Sequence, residues 1–129
     1  MKKSRVITMV VAVLVIIGAA VYRFNLQSGA NEFNRIVAMM NEADASEAAT
    51  AREKFVEAAT AWETFVEDCS RRFRDDANEN LVKCYLAIGN DPGVPAKEQA
   101  EWYAKAHAID PGKLTETQRK TMEVFGEGQ

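Results

Sequence analysis

The N-terminal part of the chain is continuously apolar, whereas the rest places apolar residues at helical spacing. The uncharged run VITMVVAVLVIIGAAVY begins at Val6 and ends at Tyr22. At about 1.5 Å per residue, this run is slightly shorter than the roughly 20 residues that span a bilayer core. Arg5 and Arg23 flank it and can extend their charged ends into the lipid head groups. We therefore predict that residues 1–24 contain one transmembrane helix in contact with the lipid bilayer.

Two other interpretations of this segment are open. The start MKKSR and the small residues Gly18, Ala19 and Ala20 also suit a cleaved signal peptide. The apolar run is longer than the core of a usual signal peptide, which favours an anchor that is retained. A buried helix of a soluble protein is disfavoured, because the remaining chain is too small and polar to enclose an all-apolar helix.

The basic residues around the apolar run predict its orientation. Lys2, Lys3 and Arg5 precede the run, and only Arg23 follows it closely. Because cytoplasmic flanks carry the excess of lysine and arginine, we expect a cytoplasmic N-terminus. The C-terminal body then lies in the periplasm or outside the cell, after a single pass through the inner (cytoplasmic) membrane.

A polar segment separates the apolar run from the rest of the chain. Residues 25–31 (NLQSGAN) contain Gly29, which tends to break helices. We predict a linker here, with Asn31 capping a short helix, and one helical domain over residues 32–129. The domain begins with an apolar stripe at three- and four-residue spacing, formed by Phe33, Ile36, Val37 and Met40.

The longest periodic segment follows the helix-start signal Asp44-Ala-Ser-Glu47. Its apolar stripe is formed by Phe55, Ala58, Ala59, Trp62, Phe65, Val66, Cys69 and Phe73. Because neither glycine nor proline interrupts the segment, the spacing predicts one helix from about residue 46 to residue 73.

A similar start signal, Asp76-Ala-Asn-Glu79, predicts that the next helix begins at that point. Gly89 is placed to end this helix in a left-handed turn. The composition of NDPGVP, which ends at Pro95, is typical of a loop. Pro95 suits the first turn of a following helix, where its missing N–H costs nothing.

The last two helices have clear end and start signals. The residue before a proline avoids the helical region, so the helix that starts near Pro95 should stop at Asp110, just before Pro111. Thr115 and Gln118 have the spacing of a capping box and predict a final helix to about Phe125. We expect an all-α fold in which short connections make neighbouring helices antiparallel.

Six residues of the third and fourth predicted helices share a repeat-like spacing, Leu-x3-Tyr-x3-Gly followed by Tyr-x2-Ala-x4-Pro. They are Leu81, Tyr85, Gly89, Tyr103, Ala106 and Pro111. This pattern resembles the tetratricopeptide repeat (TPR), a helix-turn-helix unit of about 34 residues. The resemblance covers residues 78–111, although Asn78 stands where the family usually has tryptophan and the loop between the helices is longer. Residues 33–73 resemble a degenerate preceding unit, and the final helix resembles a cap.

The resemblance implies a scaffold that binds protein partners, and it makes Tyr103 an inward-facing packing residue. Trp102 is turned by about 100° from Tyr103 on a helix, so it lies at the edge of the apolar stripe. It is either a partly covered surface aromatic or an anchor for a partner, and it is our candidate partner-binding residue. The alternative function is a single-span accessory structural subunit of a larger membrane complex.

The charge of the body excludes some partners. Beyond Arg23 the chain carries all 19 acidic residues and 12 of the 16 basic ones, a difference of −7. Nucleic acid binding needs a basic stripe, so we expect no nucleic acid partner. Adhesion of the body to anionic lipid surfaces is disfavoured for the same reason.

The sequence offers no catalytic constellation. His107 is the only histidine and has no cysteine or histidine at metal-ligand spacing. The chain has no CxxC motif and no glycine-rich phosphate loop. We therefore expect no enzymatic activity, no catalytic, cofactor-binding or metal-binding residues, no cofactor and no small-molecule substrate.

Cys69 and Cys84 form the one ambiguous pair. On consecutive antiparallel helices they would be offset by roughly 6 Å along the axis, with about 8–10 Å between the axes. That separation is beyond comfortable disulfide range, so we expect two buried free thiols. A bridge is the alternative, because an oxidising compartment favours it.

Overall fold

A computed structural model describes residues 2–126 of the chain. It contains five α-helices: α1 (Lys2–Asp44), α2 (Ala48–Asp68), α3 (Arg71–Gly89), α4 (Ala96–Ile109) and α5 (Glu116–Phe125). A short 3-10 turn, Pro111–Lys113, connects α4 to α5. The described residues contain no β-strand. The predicted all-helical fold is therefore confirmed.

The apolar run lies in the N-terminal half of α1 and is not packed against the rest of the protein. An 18-residue window of this helix has a mean hydropathy of 2.4, and none of the window is buried. In length and composition α1 can therefore cross a membrane, although an N-terminal signal sequence meets the same criteria.

Residues 25–31 differ from the predicted linker, because α1 continues through them without a break. Gly29 does not end the helix. A Cβ atom at Gly29 would lie 3.0 Å from Cε2 of Phe73, so this position allows close approach of α3. Asn31 lies within α1 and does not cap a new helix.

The connection between α2 and α3 also differs from the prediction of one helix to residue 73. Helix α2 ends at Asp68, and Cys69 and Ser70 are extended, with ψ angles of 153° and 156°. The turn brings Phe73 back against Phe33 and Phe65, with ring centroids 6.0 and 6.3 Å apart. A straight helix would carry Phe73 away from both rings, so aromatic packing overrides the uninterrupted periodicity.

The two predicted acidic start signals do not cap helices. Asp44 is the last residue of α1, and α2 begins after Glu47, whose side chain makes no capping hydrogen bond. Asp76 lies inside α3, which already begins at Arg71. Both helices start where the chain folds back onto its neighbour.

Helices α1 and α2 pack side by side and run in opposite directions. Lys54 near the start of α2 donates to Glu42 near the end of α1, at 2.8 Å, while Phe65 near the end of α2 contacts Phe33 of α1. Helix α3 packs against both α1 and α2, α4 packs against α3, and α5 packs against α4. The body is thus a stack in which α3 lies between the first helix pair and α4.

Trp62 is the largest fully buried side chain of the core. Its ring centroid is 4.9 Å from that of Phe33 and 5.6 Å from that of Phe65. Its indole N–H donates to Sδ of Met40 at 3.2 Å, so the one polar atom of the ring has a partner. This cluster joins α1 to α2, and Phe73 extends it to α3.

Tyr85, Tyr103 and Ala106 are buried, as the repeat-like spacing predicts. Gly89, however, is the last residue of α3 rather than a left-handed cap, and Asn90 after it is near-helical, with φ −80° and ψ −7°. A Cβ atom at Gly89 would lie 2.6 Å from Cε1 of Tyr103. Glycine is required here by the close approach of the tyrosine ring.

The predicted end of α4 and the predicted boundaries of α5 are confirmed, whereas Pro95 is the N-cap of α4 rather than a residue of its first turn. Helix α4 ends at Ile109, next to Asp110 and before the proline. The hydroxyl of Thr115 accepts from the Gln118 N–H, and the Gln118 side chain accepts from the Thr115 N–H. Gln118 also donates to Oδ1 of Asn90 at 3.0 Å, which ties α5 to the end of α3.

Candidate partner-binding surface

Trp102 is half-buried on α4, beside the inward-facing Tyr103. Its ring packs against Tyr85 of α3, with centroids 5.8 Å apart. The Lys105 ammonium lies 4.6 Å from the centre of the Trp102 ring and 5.7 Å from that of Tyr85. The side chain therefore lies at the edge of the apolar stripe, where helical geometry predicts it.

A cavity of about 570 Å³ opens beside Trp102, between α2, the end of α3, the α3–α4 loop and α4. We call it the Trp102 pocket. Its apolar residues are Val56, Ile88, Val94 and Trp102. Three carboxylates also line it, those of Glu53, Glu57 and Glu98. The pocket thus combines an apolar surface with negative charge.

Arg52 is the only basic residue lining this pocket, and its charge is already compensated. Its Nη1 lies 3.6 Å from Oδ2 of Asp91 in the α3–α4 loop. The other carboxylate oxygen of Asp91 accepts from the Gly93 N–H at 2.8 Å, which fixes the loop. Among the residues that the structure describes, the three pocket glutamates form no ion pair.

A larger cavity of about 910 Å³ lies between α1 and α2, next to the start of α3. Tyr22, Leu26 and Phe73 line the end nearest the apolar run of α1, and Glu32 and Arg35 also contribute. Arg35 donates to Glu32, and this hydrogen bond lowers the pKa of the carboxyl group. We call this cavity the α1–α2 groove.

The two cysteines are free thiols in the structure. Cys84 is buried in α3, and burial raises its pKa to about 12, so the thiol stays protonated at neutral pH. Cys69 is half-buried in the α2–α3 connection rather than on a helix. The expected free thiols are present, but only Cys84 is fully buried.

His107 is half-buried in the last turn of α4. Within residues 2–126, no group of three or more histidine, cysteine, aspartate or glutamate side chains is arranged to hold a metal ion. The pocket glutamates are the functional candidates that sequence reasoning missed. Glu53 and Glu57 come from a helix about 50 residues before Trp102 in the chain, and only the folded structure brings them beside it.

No protein-family model, curated protein or solved structure matches this chain.

Proposed function

We propose that the protein is a membrane-anchored scaffold whose TPR-like helical body binds a protein partner on the periplasmic or outer side of a cytoplasmic membrane. The proposal is carried by one observation. The exposed apolar segment of α1 continues without a break into a packed helical body. A bilayer would cover the apolar segment and leave the acidic body in water.

The stacking order supports the TPR-like part of the proposal. Helix α3 packs against both helices of the preceding pair, and α5 packs on the far helix, α4. In repeat proteins each unit likewise packs on its neighbour, and a terminal helix covers the last unit. The close approach of Gly89 to Tyr103 provides the tight helix pairing that the repeat spacing requires.

A second candidate function is an accessory subunit that is permanently built into a larger membrane complex. Two observations favour it. The continuous helix α1 gives the body no flexible tether, and the α1–α2 groove opens beside Tyr22 at the end of the apolar run. The two functions differ in how readily the bound partner is replaced. In mild detergent, a scaffold should exchange its bound partner for an added labelled copy. A permanent subunit should be purified only together with its complex.

The topology can be tested with a reporter fused after Gln129. We expect a reporter that is active only in the cytoplasm to be silent, because the basic residues before Val6 keep the N-terminus inside. A periplasm-active reporter at the same position should give a signal and serves as the control. A bright cytoplasmic reporter would contradict the proposed orientation.

Trp102→Ala tests the partner-binding residue. We expect the binding free energy of the partner to weaken by about 2 kcal/mol or more, roughly thirtyfold in Kd, so that copurification is lost. Large aromatic residues dominate interface energies. The melting temperature of the body should change little, since the ring is half-buried. Ile109→Ala, which shortens an exposed side chain on the same helix, is the control and should bind normally.

Two results would refute Trp102 as an anchor. One is a stable Trp102→Ala protein that binds its partner normally. The other is a loss of roughly 3–5 kcal/mol of stability, the value for truncating a fully packed aromatic, which would make Trp102 a packing residue.

A further inference from the structure

We propose that the Trp102 pocket receives an arginine or lysine side chain from the partner protein. This inference rests on the proposed scaffold function and specifies the chemistry of its partner. The occupant is a protein segment that presents a basic residue next to an apolar one.

The charges that line the pocket favour binding of a cation. Glu53, Glu57 and Glu98 line it at exposed positions, and the part of the chain that the structure describes offers them no ion pair. Arg52 does not neutralise these glutamates, because its Nη1 atom pairs with Oδ2 of Asp91 at 3.6 Å. A positive group entering the pocket would therefore meet uncompensated negative charge, which favours binding and speeds association.

The apolar part of the pocket fits the stem of a long basic side chain. Val56, Ile88 and Trp102 lie beside the carboxylates, so one pocket offers apolar contact and negative charge. Arginine and lysine carry a charged end on a methylene stem that packs along apolar surface. A short cation such as a metal ion would not use this surface, and the carboxylates do not converge as a metal site.

Trp102 is the aromatic residue that lines the pocket, and its ring already contacts a cation of the chain. The Lys105 ammonium lies 4.6 Å from the Trp102 ring centre and 5.7 Å from that of Tyr85. Such distances are typical of cation–π contacts. The Trp102 ring can therefore take part in a cation–π contact, and it is the aromatic contact that the pocket offers to a basic side chain.

The position of the pocket favours a protein segment over lipid. The contact between Lys54 and Glu42 places the start of α2 beside the end of α1. Glu42 is 20 residues beyond Tyr22 along one helix, a rise of about 30 Å. With the apolar run in the bilayer, the pocket lies far above the lipid head groups, and its negative charge repels nucleic acid.

The test uses the full chain in detergent micelles and isothermal titration calorimetry. The probes are the peptide acetyl-GSLRLRSG-amide and its counterpart with citrulline, the neutral isostere of arginine, at both arginine positions. We expect the arginine peptide to bind and the citrulline peptide to bind at least tenfold more weakly. Binding should also weaken as salt is raised from 50 to 500 mM, because salt screens the charges.

Matched variants locate the site. Glu53→Gln with Glu57→Gln removes two charges from the pocket and should weaken the arginine peptide at least tenfold. Glu47→Gln with Glu67→Gln removes two charges from exposed positions outside the pocket and should leave binding unchanged. Both pairs change the net charge equally, so an effect of net charge alone would weaken peptide binding to the same extent in both.

The inference fails if the arginine peptide does not bind, if citrulline binds equally well, or if both variant pairs respond alike. The scaffold function is tested separately by copurification of the cellular partner with Trp102→Ala. A partner that depends on Trp102 but not on Glu53 and Glu57 would overturn the basic-ligand inference alone. A partner whose binding depends on none of these three residues would overturn the basic-ligand inference and the assignment of Trp102 as an anchor. The scaffold function itself fails if no partner copurifies with the unmodified chain.

Discussion

Replacing Ala106 with glutamate is expected to unfold the helical body. Ala106 is fully buried on α4, in the same core as Tyr85 and Tyr103. Its methyl group allows α4 to approach its neighbours closely, and a glutamate there would bury an unpaired carboxylate. That cost is at least several kcal/mol, against a total stability of about 5–15 kcal/mol for a typical domain.

The measurement is the tryptophan fluorescence of the full chain, to which Trp62 and Trp102 both contribute. The buried indole of Trp62 should shift its emission to longer wavelength when the body unfolds. Ala104→Glu is the control: it adds the same charge to the same helix at an exposed position. We expect this control to keep the native spectrum and melting temperature. A folded Ala106→Glu protein with an unchanged melting temperature would contradict the assignment of a repeat-like packing to α3 and α4.

The second large effect is expected for Trp62→Ala. Trp62 is fully buried and lies between Phe33 and Phe65, with its N–H satisfied by the Met40 sulfur. Its removal would leave a cavity at the junction of α1 and α2 and a loss of about 3–5 kcal/mol. Because the apolar part of α1 is expected to stay helical in detergent, the body alone should account for the lost ellipticity.

Urea unfolding followed by circular dichroism measures this loss. Trp62→Phe keeps an aromatic ring in the cluster and should lose clearly less stability than Trp62→Ala. Trp102→Ala provides a second comparison, since that ring is only half-buried. Equal stability of Trp62→Ala and Trp102→Ala would contradict the central role of the α1–α2 aromatic cluster.

Local chemistry explains the parts of the fold that the sequence predicts well. The proline after Asp110 ends α4, and the reciprocal bonds of Thr115 and Gln118 start α5. Both signals depend on residues within one turn. The inward orientation of Tyr103 and Ala106 follows from the repeat-like spacing, and helical geometry then places Trp102 at the edge of the stripe.

Contacts between distant residues explain what the sequence does not predict. The chain turns at Cys69 and Ser70, although no glycine or proline stands there, because Phe73 packs back onto Phe33. Gly29 suggests a linker by its residue type, but in the fold it gives room to the Phe73 ring. In both cases a partner about 40 residues away decides the local conformation.

Only part of the candidate site can be predicted from the sequence. Trp102 can be identified from helical geometry and residue type. Glu53 and Glu57 look like ordinary solvated residues on a polar helix face. They join the pocket only because α2 and α4 both pack against α3, and no pattern within a single helix indicates this.

If the apolar run of α1 spans a membrane, the unbroken helix fixes both the distance of the body from the membrane and its rotation about the membrane normal. Each residue of a helix adds about 1.5 Å of height and about 100° of rotation. Two extra residues between Tyr22 and Phe33 would therefore raise the Trp102 pocket by only about 3 Å but turn it to nearly the opposite side. Seven extra residues would raise it by about 10 Å and restore its original direction. Binding to a partner held in the same membrane should therefore depend far more on the rotation of the body than on its distance from the membrane.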